Sequence, residues 1–275
     1  MAIITISREM GSAGIPIAHK AAEKLGYTLV DGETIAKVAP QYGLTLEALE
    51  KADEKPPAFI ETLDERTEVD LRQIELIILD YALKGNVIIY GRGGQDLLKE
   101  ISSVFRVRVI APFETRVERW AEREWLDPDL ARVLVRKSDQ QRAGFIKYYF
   151  DREWNDPLGY DLVINTDRLS EETAVKLICD GVKDRNLLDQ KGASKKILAD
   201  LILRARIEIS VLSDPEIDGH HVLIDVHEGV VTLGGHIHSE ADRRQVFASV
   251  QAIKEVRQIR DEMKTLDYRT FPREH

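Results

Sequence analysis

A short glycine loop near the amino terminus is the feature of this sequence that best indicates chemistry. The run Gly11-Ser12-Ala13-Gly14 follows the apolar residues 3–7 and directly precedes an amphipathic helical segment. A loop between a buried strand and a helix can bind phosphate, because its backbone N–H groups converge and the helix dipole favours an anion. The loop therefore predicts a phosphate-binding site.

The loop lacks the residues that complete the P-loop pattern G-x-x-x-x-G-K-[ST], in which the lysine reaches the phosphates and the hydroxyl binds magnesium. Counted back from the helix, the four defining positions hold Arg8, Ala13, Gly14 and Ile15. Arg8 could supply the missing cation, or it could form a surface ion pair with Glu9 or another neighbour. The sequence leaves both interpretations open.

Cationic side chains are concentrated in one later helical region. They are Arg116, Arg119, Arg123, Arg132, Arg136, Lys137, Arg142, Lys147 and Arg152. Arg136, Asp139 and Arg142 are spaced three apart and so share a helix face. A solvated face with ion pairs is the simplest interpretation of any one of them. As a group in an acidic chain they favour an arginine-rich lid, because phosphoryl transfer needs forked cations that hold phosphate and spread charge.

Two more positions follow predicted strands, where parallel sheets bind ligands. The turn Gly91-Arg92-Gly93 comes directly after the strand 87–90, so Arg92 is placed to contact a phosphate or to be exposed on an ordinary turn. Asp31 ends the second strand and could serve a ligand or cap the next helix.

The elements that must position these residues alternate along the first two thirds of the chain. Continuous apolar runs predict parallel strands at 3–7, 28–30, 87–90, 105–110 and 162–165. Amphipathic segments predict helices near 15–25, 59–83, 113–123, 128–149 and 171–183. This order predicts a doubly wound α/β domain with a P-loop-type parallel sheet.

Composition excludes several classes of protein. The chain has 275 residues, a net charge of −9 and a pI of about 5.4, which argues against general binding to nucleic acid or acidic membranes. Cys179 is the single cysteine, so internal disulfides and CxxC zinc sites are excluded. Neither a membrane span nor a signal peptide is recognised, and the expected location is the cytoplasm.

The pattern changes near residue 190, where a polar stretch predicts a linker over 188–195 that separates a first domain, 1–187, from a second. The second domain, 196–268, is predicted as an α-β-β-α-β unit with a tail over 269–275. Its segments are a helix at 195–211, strands at 222–227 and 230–236, a helix at 240–253 and a strand at 256–263. Five histidines lie on or beside the hairpin, and exposed strand positions explain them better than a metal site does.

The first domain resembles the cytidylate kinase-like family. The resemblance rests on several runs in the right order: residues 6–14, 22–27, 89–93, 111–116, 137–142 and 160–166. It implies a nucleoside monophosphate kinase that uses ATP and Mg²⁺, with a monophosphate-binding insertion over about 35–84 and a lid over about 113–158. It also implies that Gly11, Ser12, Ala13 and Gly14 face the ATP phosphates.

Further site residues follow from the same resemblance. It places Asp31 near the acceptor nucleotide, Arg92 on the acceptor phosphate, and Arg136, Asp139 and Arg142 over the transferred phosphoryl group. Arg116 is included as a phosphate contact and Arg8 as the substitute cation. True cytidylate kinases have a lysine where Gly14 stands, Ser or Thr where Ile15 and Pro16 stand, and an aspartate where Gly93 stands.

The second domain is similar to the BON domain, on the run 222–235 and the stretch 250–259. That family implies a small module that binds phospholipid, a small ligand or a protein. Three interpretations therefore stay open: an active kinase with a BON module, a nucleotide-binding sensor with little turnover, and a scaffold that binds no nucleotide.

Overall fold

A parallel sheet forms the centre of the first domain in the computed structural model, which describes residues 2–51, 65–215, 217, 219 and 221–265. The strands are β1 (Ile3–Arg8), β2 (Thr28–Val30), β3 (Val87–Tyr90), β4 (Val104–Ile110) and β5 (Leu162–Asn165). Within the described residues they form one five-stranded sheet in the order β2-β3-β1-β4-β5, and every neighbouring pair is parallel. The predicted doubly wound α/β fold is confirmed.

Helices cover both faces of this sheet. They are α1 (Gly14–Leu25), α2 (Gly32–Val38), α3 (Leu46–Lys51), α4 (Glu65–Lys84), α5 (Gly94–Leu97), α6 (Phe113–Glu124), α7 (Pro128–Phe150), α8 (Glu171–Gly181) and α9 (Arg185–Leu188). The caps explain several boundaries: the Asp127 carboxylate accepts the N–H groups of Asp129 and Leu130, and Ser170 caps α8. The first part of the helix expected at 59–83 lies outside the described residues.

The second domain is built on a small mixed sheet. Its elements are α10 (Lys191–Leu212), β6 (Val222–His227), β7 (Val230–Ile237), α11 (Glu240–Gln251), β8 (Gln258–Asp261) and β9 (Lys264–Thr265). The strand expected at 256–263 is the shorter β8, and β9 follows beyond the expected range; both pair with β7. The tail over 269–275 lies outside the described residues. No helix in the described ranges is long and apolar enough to cross a membrane.

The stretch expected to be a linker, 188–195, is mostly helical. Helix α9 ends at Leu188 and α10 begins at Lys191, four residues before the predicted start. The Ser194 N–H donates to the Gln190 carbonyl, and Ser194 is buried. The polar composition of this stretch therefore does not keep it out of a helix, and the linker limits 188–195 stay a prediction. The domain limits 1–187 and 196–268 stay predictions.

Helix α10 belongs to two hydrophobic cores. Leu198, Ile202 and Ala205 pack in the core between α4 and the first sheet. Residues on the opposite side of the same helix, Leu203 and Ile207, pack in the core of the second domain. Spacings of three and four residues keep each set on one face. The two sheets are therefore joined by a shared rigid element.

We expect neighbouring substitutions on α10 to weaken different domains. Ile202→Ala truncates a side chain that is 5% exposed, and Leu203→Ala truncates one that is 4% exposed. Each should cost about 2–5 kcal/mol, as large-to-small core substitutions do. In amide hydrogen exchange, Ile202→Ala should accelerate exchange mainly in α4 and β3, and Leu203→Ala mainly in β6 and β7. Acceleration of one common set of amides by both variants would contradict the two-core assignment.

Candidate active site

The glycine loop is a tight turn at the carboxyl end of β1. Gly11 and Ala13 have φ angles of 81° and 61°. A Cβ on Gly11 would lie 2.4 Å from the Arg116 carbonyl oxygen, so only glycine fits there. The Ser12 hydroxyl donates to the Glu9 carbonyl at 2.8 Å, which ties the turn to the strand. In the first turn of α1 the N–H groups of Gly14 and Ile15 have no acceptor within the helix, whereas Pro16 has no N–H. Anion binding by this end of the helix stays a prediction.

The Arg8 side chain occupies the space that a lysine side chain at position 14 would need. A Cβ on Gly14 would lie 2.8 Å from Cβ and 3.0 Å from Cγ of Arg8. Gly14 is not among the residues with positive φ, so packing rather than backbone conformation requires glycine here. The Arg8 guanidinium carbon lies 4.2 Å from the centroid of the Tyr90 ring. A cation at position 14 and the observed position of Arg8 therefore exclude each other.

A cavity of about 420 Å³ opens beside the loop. One wall is the loop with Gly11, Ala13 and Pro16, and another is α6 with Arg119, Trp120 and Arg123. The third wall is the turn between β5 and α8, residues 166 and 169–171. The Arg119 guanidinium donates to the Thr166 carbonyl at 2.8 Å. This cavity has the size of a small-molecule site.

A second, much smaller cavity is lined by Arg8. Its volume is about 10 Å³, which is room for one water molecule. Arg8, Arg142 and Gln95 line it together with glycines of the turn after β3 and aromatic residues from the end of α7 and beyond it. A Cβ on Gly93 would lie 2.5 Å from the Phe150 ring, so this aromatic packing requires glycine at position 93. Arg142 of α7 and Arg8 of β1 thus both line this cavity.

Arg92 and Asp31 lie together at the ends of β3 and β2. Arg92 adopts a φ of 58°, and its Nη2 lies 3.7 Å from the position that a Cβ on Gly32 would take. The Asp31 carboxylate accepts the Thr34 N–H at 2.9 Å, so Asp31 is the N-cap of α2. The capping interpretation is therefore observed, and a ligand role for either residue stays a prediction.

The remaining arginines of the predicted site have separate environments. The Arg116 guanidinium is buried and donates to the carbonyls of Ala111 and Met10 and to the Asp139 carboxylate. The exposed Arg136 side chain has its guanidinium carbon 5.4 Å from the centroid of the Phe113 ring. Arg136, Asp139 and Arg142 thus share a helix but have different partners.

Sequence reasoning missed a buried ionic network beneath the loop. The Glu9 carboxylate lies 3.2 Å from Nε of Arg116 and 3.5 Å from Nη2 of Arg108. Burial raises the pKa of Glu9, although both arginines act to lower it. Arg108 is only 3% exposed and donates to Asn155. The sequence signal for this network was Arg108 in the middle of an apolar strand, because buried charges are retained only when they are paired.

A resident metal site is not apparent in the part of the chain that the structure describes, where no three His, Cys, Asp or Glu side chains lie together. The rings of His221 and His238 are 6.2 Å apart, and His220 lies outside the described residues. The loop positions that bind magnesium in P-loops hold Ile15 and Pro16. These two positions therefore offer no hydroxyl ligand to a magnesium ion.

The parallel sheet, the glycine loop after β1 and the helices on both faces define a doubly wound α/β fold with a P-loop-type parallel sheet. A crystal structure of an uncharacterized protein from Eubacterium ventriosum shares this fold. Its TM-score is 0.54 at 22% identity, and the match covers 67% of this chain and 100% of that chain.

The cytidylate kinase-like family matches residues 3–168, and the chain belongs to this family. The cytidylate kinase of Pyrococcus horikoshii is 29% identical over 195 residues, which are 70% of this chain and 95% of that protein. The cytidylate kinase of Ignicoccus hospitalis is 30% identical over 181 residues, covering 65% of this chain and 97% of that protein. Residues 199–267 match the BON domain. Both resemblances seen in the sequence are confirmed.

Thr166 should be a structural support of the loop and of Arg119. Its hydroxyl donates to the Ser12 carbonyl at 3.0 Å and accepts from Nη1 of Arg119 at 3.1 Å. Thr166→Val keeps the shape but leaves buried partners unsatisfied, so urea denaturation should show a loss of about 1–3 kcal/mol. The matched control is Thr115→Val, which removes a surface hydrogen bond to Asp167 and should cost less than about 0.5 kcal/mol. Equal losses would contradict a supporting role for the Thr166 hydroxyl.

Proposed function

We propose that this protein is a nucleoside monophosphate kinase that transfers the γ-phosphoryl group of ATP to a nucleotide or a related acceptor. The observation that carries the proposal is the glycine loop with Arg8 packed into the space of the absent lysine. The stem of Arg8 fills this space, and its guanidinium lies over the Tyr90 ring beside the loop, from where it could contact a bound phosphate. Membership of the cytidylate kinase-like family supports the same chemistry, and its cytidylate kinase relatives suggest CMP as the first acceptor to test.

The glycine loop and the larger cavity suggest how the donor, ATP, would bind. The loop N–H groups would hold the ATP phosphates, and the cavity of about 420 Å³ would take the nucleoside. Arg119 and Arg123 line this cavity and can contact the base or the sugar. Magnesium would neutralise part of the phosphate charge and would be held mainly by the nucleotide, because Ile15 and Pro16 carry no hydroxyl and the Ser12 hydroxyl donates to the Glu9 carbonyl.

Transfer would take place at the cavity that Arg8 and Arg142 both line. An acceptor phosphate oxygen bound near Arg92 would attack the γ-phosphorus while the bond to the bridging oxygen of ADP breaks. Charge then spreads over the equatorial oxygens, and forked guanidinium groups stabilise it. In this structure the cavity there is only about 10 Å³, with Phe145 and Trp154 in its lining, so it would have to widen before an acceptor could enter.

A nucleotide-binding sensor with little turnover is the second candidate. The observation that favours it is the small volume of the acceptor-side cavity, about 10 Å³. In this case ATP would bind to the loop, and occupancy would be transmitted through α10 to the BON domain. The BON domain would bind its own partner, a phospholipid, small molecule or protein, in either case.

A coupled assay for ADP formation with MgATP separates the candidates. It should be run with CMP, UMP, AMP, GMP and dCMP as acceptors, and we expect turnover with at least one of them. MgATP alone should raise the Tm, because saturation at about 100 times Kd stabilises the native state by about 2.7 kcal/mol. A Tm shift without ADP formation favours the sensor. A protein that shows neither would be the scaffold, and the proposal would be wrong.

Substitutions of Arg142 and Arg8 test the transfer site. Arg142→Ala should lower kcat by about 100-fold or more, the loss typical of a donor that binds transition-state charge. Arg142→Lys should restore little, since the planar fork is lost. Arg8→Ala should weaken ATP binding as well as turnover, because Arg8 adjoins the loop.

Arg136→Ala is the matched comparison on the same helix. The sequence-based hypothesis treats Arg136 and Arg142 alike, whereas Arg136 lies over Phe113 in this structure. We therefore expect a smaller loss for Arg136→Ala than for Arg142→Ala. Equal turnover of the wild type and Arg142→Ala would remove Arg142 from the site. Gly14→Lys should inactivate the protein, because its Cβ meets Arg8.

A further inference from the structure

The carboxylate of Glu9 occupies a position between the end of β1 and the glycine loop. Oε2 accepts the Ala111 N–H at 3.2 Å and lies 3.2 Å from Nε of Arg116. Oε1 lies 3.5 Å from Nη2 of Arg108. The side chain is 17% exposed, so these contacts are largely removed from water. A charged hydrogen bond in such a place holds its partners firmly.

Arg116, the partner of Glu9, contacts the loop with both its side chain and its main chain. Nη1 donates to the Met10 carbonyl at 3.1 Å, and the Arg116 carbonyl lies against Gly11. The same Nη1 donates to Oδ2 of Asp139 on the lid helix α7 at 2.8 Å. One guanidinium therefore holds the loop, the turn before α6 and the lid helix together.

We propose that Glu9 is a positioning residue for phosphate binding, which acts by fixing the Arg116 guanidinium and, through it, the direction of the loop N–H groups. In this arrangement Arg116 holds the loop instead of contacting phosphate, because its Nε and Nη1 donate to groups of the protein. The inference rests on the proposed function and names residues that act on the same loop.

The charge balance of the network supports this role. Glu9 and Asp139 offset the charges of Arg116 and Arg108, so the network adds no net positive charge beneath the loop. Attraction of phosphate must then come from the N–H groups and from arginines nearer the cavities. What the network can supply is geometry, since N–H groups bind phosphate only when they converge.

Glu9→Gln keeps the size of the side chain and removes its charge. Arg116 keeps Asp139 as its ionic partner in this variant, so the buried guanidinium stays paired. We expect a folded protein whose affinities for MgATP and for tripolyphosphate both fall about tenfold, because the Arg116 guanidinium loses an ionic contact that fixes it. The affinity for adenosine should not change, because the nucleoside cavity lies outside the network. Isothermal titration calorimetry measures all three.

Glu9→Asp distinguishes the effect of the carboxylate's position from the effect of its charge. It keeps the carboxylate but withdraws it by one methylene group, so the contact with Arg116 lengthens. A positioning role predicts a loss of MgATP and tripolyphosphate affinity similar to that of Glu9→Gln. Wild-type affinity for both ligands in Glu9→Asp would show that charge alone matters and would overturn the inference. This variant also provides the test if Glu9→Gln does not fold.

The chain offers a matched control in Glu208→Gln. Glu208 is 13% exposed and pairs with two arginines, Arg72 at 3.2 Å and Arg204 at 2.8 Å, far from the loop in the α4–α10 contact. We expect Glu208→Gln to bind MgATP and tripolyphosphate like the wild type. Equal losses in Glu208→Gln and Glu9→Gln would mean a general effect of removing a half-buried charge and would overturn the inference.

The outcomes separate this inference from the proposed function. A wild-type protein that binds MgATP, with Glu9 variants that bind it equally well, overturns the positioning role alone. A wild-type protein that binds neither MgATP nor tripolyphosphate overturns the proposed function, and the positioning role with it.

Discussion

The arrangement of the site depends on the contact between Arg116 and the glycine loop. The Arg116 carbonyl approaches Gly11 so closely that no side chain fits between them, and the Arg116 guanidinium binds the Met10 carbonyl. Because this arginine is buried, it needs anionic partners, and Glu9 and Asp139 provide them. Loop, lid helix and the end of β1 are thus held by one buried cation, in the region where P-loops use a lysine to bind the ligand itself.

Much of the fold could be predicted because its signals are local. Strands β2, β3 and β5 have the predicted ends, since each is a short apolar run with no polar residue inside it. The long helices α6 and α7 end within one residue of the expected positions, where turn residues interrupt the apolar periodicity. The helix α10 was predicted to begin four residues too late, because its first turn is polar and is held by tertiary contacts.

The contacts within the site were harder to predict from the sequence, because most of the residues that form them are far apart along the chain. The glycine loop, Arg8 and Arg142 were recognised by residue type, but nothing local indicates that Arg8 fills the space above Gly14. Glu9 was read only as a neighbour of Arg8, although its side chain turns to Arg108 and Arg116. Residue type and spacing indicate which side chains can bind phosphate, and only packing decides which of them hold the loop instead.

Helix α10 limits the modularity of this two-domain chain. A boundary drawn by composition at 188–195 would assign the helix to the second domain, yet Leu198, Ile202 and Ala205 complete the core of the first. A graft of a different C-terminal module would leave α4 facing water unless the new module carried the same apolar stripe. A new combination of domains is therefore compatible with this fold only if α10 keeps the apolar residues of both its faces. Substitutions on either side of the helix must then be matched in the domain that packs there.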